Sequence, residues 1–230
     1  MSLSLKHVKW PIELILIMVF FSLINLVILI IGYKDISTII ICQTINLIGF
    51  IVLLSISIVH IHYLNHDAVA SWFHFIKKRI YIIDFLLIVL LIVFSNFSYR
   101  LMTKIGFVEV FNISLFRGFV INNVHGLELK IVVILFFIVV TVGVFAEELY
   151  FRAYLFEKQS KYFKSYTWII NGFSWSIYHL FSPTNFIAFL PACLFYSYCY
   201  QKRRNIWITI LAHLISNYMI LYLRMRPLLL

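Results

Sequence analysis

From Ile131 to Arg152 the chain reads IVVILFFIVVTVGVFAEELYFR. Residues 131–146 are uncharged and mostly apolar, and two adjacent glutamates follow them directly. A run of this length and composition is typical of a helix that crosses a bilayer, so Glu147 and Glu148 are predicted to lie at membrane depth. An ionisable side chain near the bilayer centre costs roughly 2.5–3.5 kcal/mol on insertion scales, and it usually faces a protein interior and serves a function. The pair therefore indicates a candidate site inside a membrane helix bundle.

The composition of the whole chain agrees with a membrane environment. Of the 230 residues, 63% are hydrophobic and 12% are charged, and the mean hydropathy is +0.99. Soluble domains contain about 25% charged residues, so this chain lacks the polar surface that a soluble globule needs. We expect a single integral membrane domain over residues 1–230, with no separate soluble domain.

The apolar segments predict an all-α fold, a polytopic membrane helix bundle of about seven transmembrane helices. The stretch 165–201 carries no formal charge and is too long for one span, and Pro183 divides it because proline disfavours helix continuation. Residues 1–100 are predicted to hold three N-terminal helices, and residues 130–224 a four-helix catalytic core. The predicted helices lie at about 12–32, 37–61, 80–100, 130–156, 166–181, 185–201 and 206–223.

The segment 101–128, between the third and fourth predicted helices, is less apolar than its flanks. Its apolar side chains share one helical face, which is typical of an amphipathic helix lying at the membrane interface. A short re-entrant segment is the alternative for the same residues.

The net charge of +10 reflects membrane orientation rather than nucleic-acid binding, because the basic residues cluster at the ends of apolar runs. With the N-terminus inside, 12 of the 19 Lys and Arg residues fall in inside segments and 7 in outside segments. The positive-inside rule therefore predicts a cytoplasmic N-terminus and an external C-terminus. The inside set is Lys6, Lys9, Lys77, Lys78, Arg79, Arg152, Lys158, Lys161, Lys164, Lys202, Arg203 and Arg204; the outside set is Lys34, Arg100, Lys104, Arg117, Lys130, Arg224 and Arg226.

Polar residues recur in three of the core helices. Glu148 and Arg152 are four apart, a spacing that favours a structural ion pair. Glu147 points about 100° away from Glu148 and has no cation at its own i+3 or i+4 position, so it is the candidate general base. His213 and Asn217 share one helix face. Taken alone, a membrane histidine or asparagine is as well explained by a hydrogen bond between helices.

Together with His179, these residues form the set that water activation inside a membrane requires. A carboxylate and a histidine can take the proton from water, and a second histidine and an amide can donate to the developing oxyanion. Glu147-Glu148-x-x-x-Arg152, then His179, then His213-x-x-x-Asn217 resembles the CPBP family of intramembrane proteases. That family includes the type II CAAX prenyl endopeptidases and bacterial bacteriocin-immunity (Abi) proteins. The resemblance covers about residues 130–224.

The resemblance implies a role for each matched residue. Glu147 and His179 would activate the hydrolytic water, Glu148 held by Arg152 would support the site, and His213 with Asn217 would form the oxyanion hole. The family often has phenylalanine four residues before the middle histidine, where this chain has Trp175. Another large aromatic is a mild departure, expected to leave the catalytic assignment intact.

The family is often labelled a metalloprotease, and four of the matched side chains could bind zinc by ligand type. They are Glu147, Glu148, His179 and His213. The sequence lacks His-Glu-x-x-His, so no cofactor is required by it, and water activated by protein groups is the preferred mechanism. One tension remains in the predicted helix bounds, which put Glu147 and His179 on the order of 6–10 Å apart in depth. Helix tilt, or a deeper fourth helix, has to close that gap.

The substrate implied by the resemblance is a membrane-embedded or membrane-associated peptide or protein, reached from the lipid bilayer. Bacteriocin self-immunity or peptide-signal processing fits a small chain of this composition better than prenylated CAAX substrates. One alternative is a non-catalytic immunity protein that binds a toxin or receptor. A transporter is less favoured, because the sequence shows no repeat symmetry and no matching pair of broken helices. The sequence gives no indication of the oligomeric state.

Two other sets of potential ligands have ordinary explanations. The three cysteines lie inside apolar segments without Cys-x-x-Cys spacing, which favours small packing residues. A second histidine group at the inner end of the second helix could bind metal, but interfacial histidines are common there and no further ligand stands at a fixed spacing. The two sets are Cys42, Cys193 and Cys199, and His60, His62 and His66 with Asp67.

Overall fold

The computed structural model describes residues 10–32, 35–64, 78–104, 126–179 and 183–229. Within these ranges the chain is helical and contains no β-strand, which confirms the all-α prediction. The α-helices are α1 (Trp10–Ile31), α2 (Ile36–Leu64), α3 (Ile82–Lys104), α4 (Gly126–Glu148), α5 (Phe156–Phe163), α6 (Thr167–Tyr178), α7 (Pro183–Arg203) and α8 (Ile206–Leu229).

Several helical stretches are long and apolar enough to cross a membrane, so the protein is a multi-pass membrane protein. Among the described residues there are four such stretches, and they are Trp10–Ile31, Ile36–Ile61, Ile82–Met102 and Gly126–Tyr178. The last of these contains more than one helix. The count of seven spans remains a prediction.

The distribution of side chains is the inverse of a soluble globule. Large apolar residues face outward, as with Leu29 at 78% exposure and Ile82 at 79%. Arg152 and Glu148 are instead fully buried. Because lipid tails solvate apolar side chains and not charges, this arrangement places the charged pair in the protein interior and the apolar faces against the bilayer.

The fourth predicted helix, 130–156, differs in form from the prediction. The α-helix ends at Glu148, the chain continues as a π-helix over Leu149–Leu155, and α5 then runs to Phe163. A π-helix closes i→i+5 hydrogen bonds, so it winds more residues into each turn, and such stretches occur frequently at functional sites. Here the change of winding begins directly after the two glutamates.

Helices α6 and α7 approach each other closely at Gly172. A Cβ on Gly172 would lie 2.7 Å from the Leu194 Cα and 2.9 Å from the Cys193 carbonyl oxygen. Only glycine allows two backbones to approach this closely, as is common between membrane helices. Trp175 follows Gly172 by three residues on α6, so this contact fixes the distance between the Trp175 side chain and α7.

The third helix is fixed to the core at its first turn. The Asp84 carboxylate on α3 is buried, and its Oδ1 lies 2.7 Å from the Arg203 Nε at the end of α7. Further along, the Phe94 and Phe195 rings pack with centroids 4.9 Å apart. α3 therefore packs along α7, and it also packs against α8.

Some sequence predictions fall outside the described residues. Of the interfacial or re-entrant segment 101–128, residues 105–125 lie outside, and so do His66 and Asp67 of the second histidine group. His60 is described, and its Nδ1 lies 2.8 Å from the Ile56 carbonyl oxygen. The cysteines Cys42, Cys193 and Cys199 are buried and form no disulfide, in agreement with their interpretation as packing residues.

Candidate active site

Glu147 is the last residue but one of α4, and its side chain is directed toward α6. It is 8% exposed, and its Oε2 accepts a hydrogen bond of 3.0 Å from the indole Nε1 of Trp175. This carboxylate has no cation at the i+3 or i+4 position of its own helix. The structure gives it a neutral donor from the neighbouring helix, a partner that spacing along one helix cannot reveal.

Glu148 lies deeper and is fully buried between two basic side chains. Its Oε2 is 3.4 Å from the Arg152 Nε, an ion pair without hydrogen-bond alignment. Its Oε1 lies 3.1 Å from the His213 Nδ1 on α8. The ion pair predicted from the i,i+4 spacing is confirmed, and the contact with His213 ties α4 to α8 at the same point.

The Arg152 guanidinium is held by groups that sequence reasoning did not identify. Its Nη1 donates to the Asn171 Oδ1 at 3.0 Å, and its plane lies 4.2 Å from the centre of the Trp175 ring. The Asn171 amide in turn donates to the Gln159 Oε1 at 3.1 Å. The sequence did contain a signal for Asn171, because this polar residue stands four residues before Trp175 and eight before His179, on the same face of an apolar helix.

The hydrogen bonds of the two histidines fix where each ring carries a proton. The His179 Nδ1 lies 2.9 Å from the Trp175 carbonyl oxygen, which can only accept, so this nitrogen is protonated. The His213 Nδ1 faces the Glu148 carboxylate in the same way. In the neutral ring of either histidine, Nε2 is then the basic nitrogen.

A cavity of about 160 Å³ lies among α3, α4, α6, α7 and α8. Four of the predicted site residues line it: Glu147, His179, His213 and Asn217. Glu148 and Arg152 are fully buried and do not line the cavity. Because Trp175 bonds to Glu147 and stands one turn before His179, the predicted mismatch in depth is closed. The described chain carries α4 on through the π-helix and α5 before it turns back into α6.

The cavity also has a wall that the sequence analysis did not anticipate. Ser95, Asn96 and Tyr99 of α3 line it opposite the core helices. The Ser95 hydroxyl lies 3.2 Å from the Ser216 hydroxyl of α8. A run of polar residues near the end of an apolar span was the available signal, since such residues usually face a bundle interior.

The donor set for zinc does not assemble. In the ranges that the structure describes, no three His, Cys, Asp or Glu side chains come together as a metal-binding group. The Glu148 carboxylate is taken by Arg152 and His213, so it is not available as a zinc ligand. The described residues therefore do not fit a zinc ion.

Residues 128–219 match the family model of the Rce1-like type II CAAX prenyl endopeptidases. This segment is therefore similar to the Rce1-like family. The family resemblance drawn from the three motifs is thereby confirmed, and the family is one of proteases. The Rce1-like segment runs from the first turn of α4 into α8 and contains all six candidate residues, whereas α1, α2 and α3 lie outside it. Comparison with curated proteins and with solved structures found no match.

Proposed function

We propose that this protein is an intramembrane endopeptidase that hydrolyses a peptide bond in a membrane-associated peptide or protein. The observation that carries the proposal is that Glu147, His179, His213 and Asn217 line one cavity inside a membrane helix bundle. These residues supply a base and oxyanion donors within the same small space. The match of residues 128–219 to a protease family supports the same reaction class.

In the proposed reaction, Glu147 and His179 activate a water in the cavity. Glu147 takes one proton, while the His179 Nε2 accepts a hydrogen bond from the other. The water oxygen bonds to the carbonyl carbon of the substrate, and the carbonyl oxygen becomes an oxyanion. Collapse of this intermediate breaks the C–N bond, and the proton held by Glu147 passes to the leaving nitrogen. The products are a carboxylic acid and an amine.

The oxyanion is stabilised in this proposal by His213 and Asn217. The His213 Nδ1 donates to Glu148, so its Nε2 can donate to the oxyanion only when the ring is doubly protonated. The Glu148 carboxylate, 3.1 Å away, is the counter-ion for that form. Arg152 then serves to hold Glu148 in place. Preorganised donors of this kind are worth about 10²–10³ in kcat each.

The cellular role and topology belong to the same proposal. The proposed role is bacteriocin self-immunity or the processing of a peptide signal, carried out by hydrolysis within the membrane, and both are suggested by the family resemblance. Seven membrane spans with a cytoplasmic N-terminus would place the C-terminus outside. The excess of Lys and Arg in the inside segments supports this orientation.

The proposed activity is tested with the full chain in lipid nanodiscs and a pool of internally quenched peptides. We expect Glu147→Ala to lower turnover by about 10²–10⁴-fold, the range for loss of a general base. Glu128→Ala is the matched control, because Glu128 lies in the first turn of the same helix and is exposed. Equal cleavage by wild type and Glu147→Ala would rule out the mechanism. Immunity retained in cells by Glu147→Ala would favour a non-catalytic binding protein.

A further inference from the structure

One wall of the cavity is formed by a helix that lies outside the Rce1-like segment. Ser95, Asn96 and Tyr99 of α3 line it, whereas the family match begins at residue 128. The proposed catalytic groups come from α4, α6 and α8. The side of the cavity formed by α3 therefore carries polar groups that the proposed hydrolysis does not use.

The position of α3 at this cavity is fixed by its contacts with the core. Arg203 pairs with the buried Asp84 at the first turn, and the Tyr99 ring stacks on Phe189 with centroids 6.0 Å apart. Phe189 itself lines the cavity. The α3 side chains thus face the catalytic groups across a defined space, held at both ends of the helix.

The Asn96 amide has a defined orientation in this wall. Its Nδ2 donates 2.8 Å to the Ile92 carbonyl oxygen, and since that oxygen can only accept, the assignment of the amide atoms follows. The remaining polar atom, Oδ1, is an acceptor. An amide in a membrane helix is costly unless it has hydrogen-bond partners, so an acceptor at the wall of a cavity indicates a ligand that donates.

The size and charge of the cavity restrict what can occupy it. Its volume of about 160 Å³ is well below the 300–1,000 Å³ of sites that enclose a drug-sized ligand. A helix of about 10–12 Å diameter cannot enter, so a peptide must be extended at this point. Among the described residues that line the cavity, Glu147 is the only Asp, Glu, Lys or Arg. A doubly protonated His213 is already paired with Glu148. An acidic substrate side chain would therefore lack a fixed cation.

We infer that α3 forms the substrate-binding wall of the cavity, and that the Asn96 Oδ1 accepts a hydrogen bond from a backbone N–H of an extended, uncharged substrate peptide. An extended segment has unpaired backbone N–H groups, which must be satisfied once it leaves water. Asn96 lines the same cavity as Glu147, so such a group can reach it beside the proposed base. The inference rests on the proposed peptidase function, because it assigns the substrate side of the same cavity.

Binding is measured without catalysis by using the Glu147→Ala chain in nanodiscs. The probes are fluorescein-labelled decapeptides with a central Ala-Ala or a central Asp-Asp pair. We expect Asn96→Ala, added to Glu147→Ala, to raise the Kd of the Ala-Ala peptide about three- to tenfold, the effect of losing one hydrogen bond. We also expect the Asp-Asp peptide to bind more weakly than the Ala-Ala peptide.

Asn25→Ala is the matched control for Asn96→Ala. Asn25 also lies in an apolar membrane helix, is also partly buried, and its Nδ2 also donates 2.8 Å to the carbonyl oxygen four residues before it. It is on α1 and does not line the cavity. An equal Kd in the Asn96 and Asn25 variants would overturn the inference. The absence of saturable binding to the Glu147→Ala chain would overturn it as well.

Cleavage by the otherwise wild-type chain separates this inference from the proposed function. A contact made equally in ground and transition states raises KM and leaves kcat unchanged, so Asn96→Ala should raise KM three- to tenfold. If Glu147→Ala abolishes cleavage while Asn96→Ala has the KM of Asn25→Ala, the peptidase stands and the binding wall does not. If Glu147→Ala cleaves like wild type, the proposed peptidase fails instead.

Discussion

The indole Nε1 of Trp175 lies 3.0 Å from the Glu147 Oε2, and the hydrogen bond joins the proposed base to the helix that carries His179. The backbone carbonyl oxygen of Trp175 also accepts a hydrogen bond from the His179 Nδ1. Its ring also stacks under the Arg152 guanidinium. Through these contacts one aromatic residue sets the orientation of both groups that are proposed to activate water.

Trp175→Phe is expected to lower kcat about 10- to 100-fold with little change in KM. The phenyl ring keeps most of the packing, but it has no N–H, and a hydrogen bond to a charged group is worth about 1.5–3 kcal/mol. The measurement is kcat and KM in nanodiscs, alongside the amount of folded protein.

The control for that substitution is Trp168→Phe, since Trp168 is partly buried on the same helix and does not line the cavity. Replacement of Trp175 by 3-benzothienylalanine removes the N–H while keeping the ring shape. It should reproduce the effect of phenylalanine on kcat. Full activity with either replacement would show that Trp175 contributes only packing.

Much of the fold follows from hydropathy. Apolar runs broken by Pro183 and by charged segments predict five of the helices with bounds within four residues of those observed, whereas the fourth and the last predicted helices end eight and six residues away from the observed ends. The pairing of Glu148 with Arg152 follows from helix geometry alone. Glu147, His179, His213 and Asn217, which line the cavity, were predicted as site residues from the order of the motifs along the chain. That order assigns functional residues to helices before any contact between the helices is known.

The remaining features depend on contacts between helices. The π-helix after Glu148 is stabilised by the buried aromatic core, and hydrophobic patterning does not predict such a change of winding. The roles of Trp175 and Asn171 appear only when α6 lies beside α4. Asn96 was not identified, because a polar residue in an apolar helix does not reveal which cavity it faces.

Gly172→Ala is expected to destabilise the protein by about 1–3 kcal/mol, the usual cost of overpacking. The added methyl group would lie 2.7 Å from the Leu194 Cα, so α6 and α7 must separate. Gly49→Ala is the matched control, because its nearest contact is also 2.7 Å but is the flexible end of Ile24. The thermal midpoint in nanodiscs should fall several degrees further for Gly172→Ala. Equal midpoints would show that the close backbone contact of Gly172 with α7 does not determine the stability.

The predicted topology places the two chain ends on opposite sides of the membrane. A cysteine added at the C-terminus should react with a membrane-impermeant maleimide in intact cells, and one added at the N-terminus should react only after permeabilisation. The background should be low, because Cys42, Cys193 and Cys199 are all buried. Labelling of both ends, or of neither, in intact cells would require an even number of spans and would contradict the seven-helix arrangement.

Arg152→Met is expected to destabilise the protein by about 3–5 kcal/mol, because it leaves the fully buried Glu148 carboxylate without its cation. If that charge is the cause, Glu148→Gln in the same chain should restore most of the stability, since an amide is neutral and its Oε1 still accepts from His213. Thermal unfolding of the single and double variants measures this coupling. The double variant should fold yet remain inactive, because His213 would no longer have an anionic counter-ion. A double variant no more stable than Arg152→Met would mean that Arg152 acts through packing against Trp175 and Asn171 rather than through Glu148.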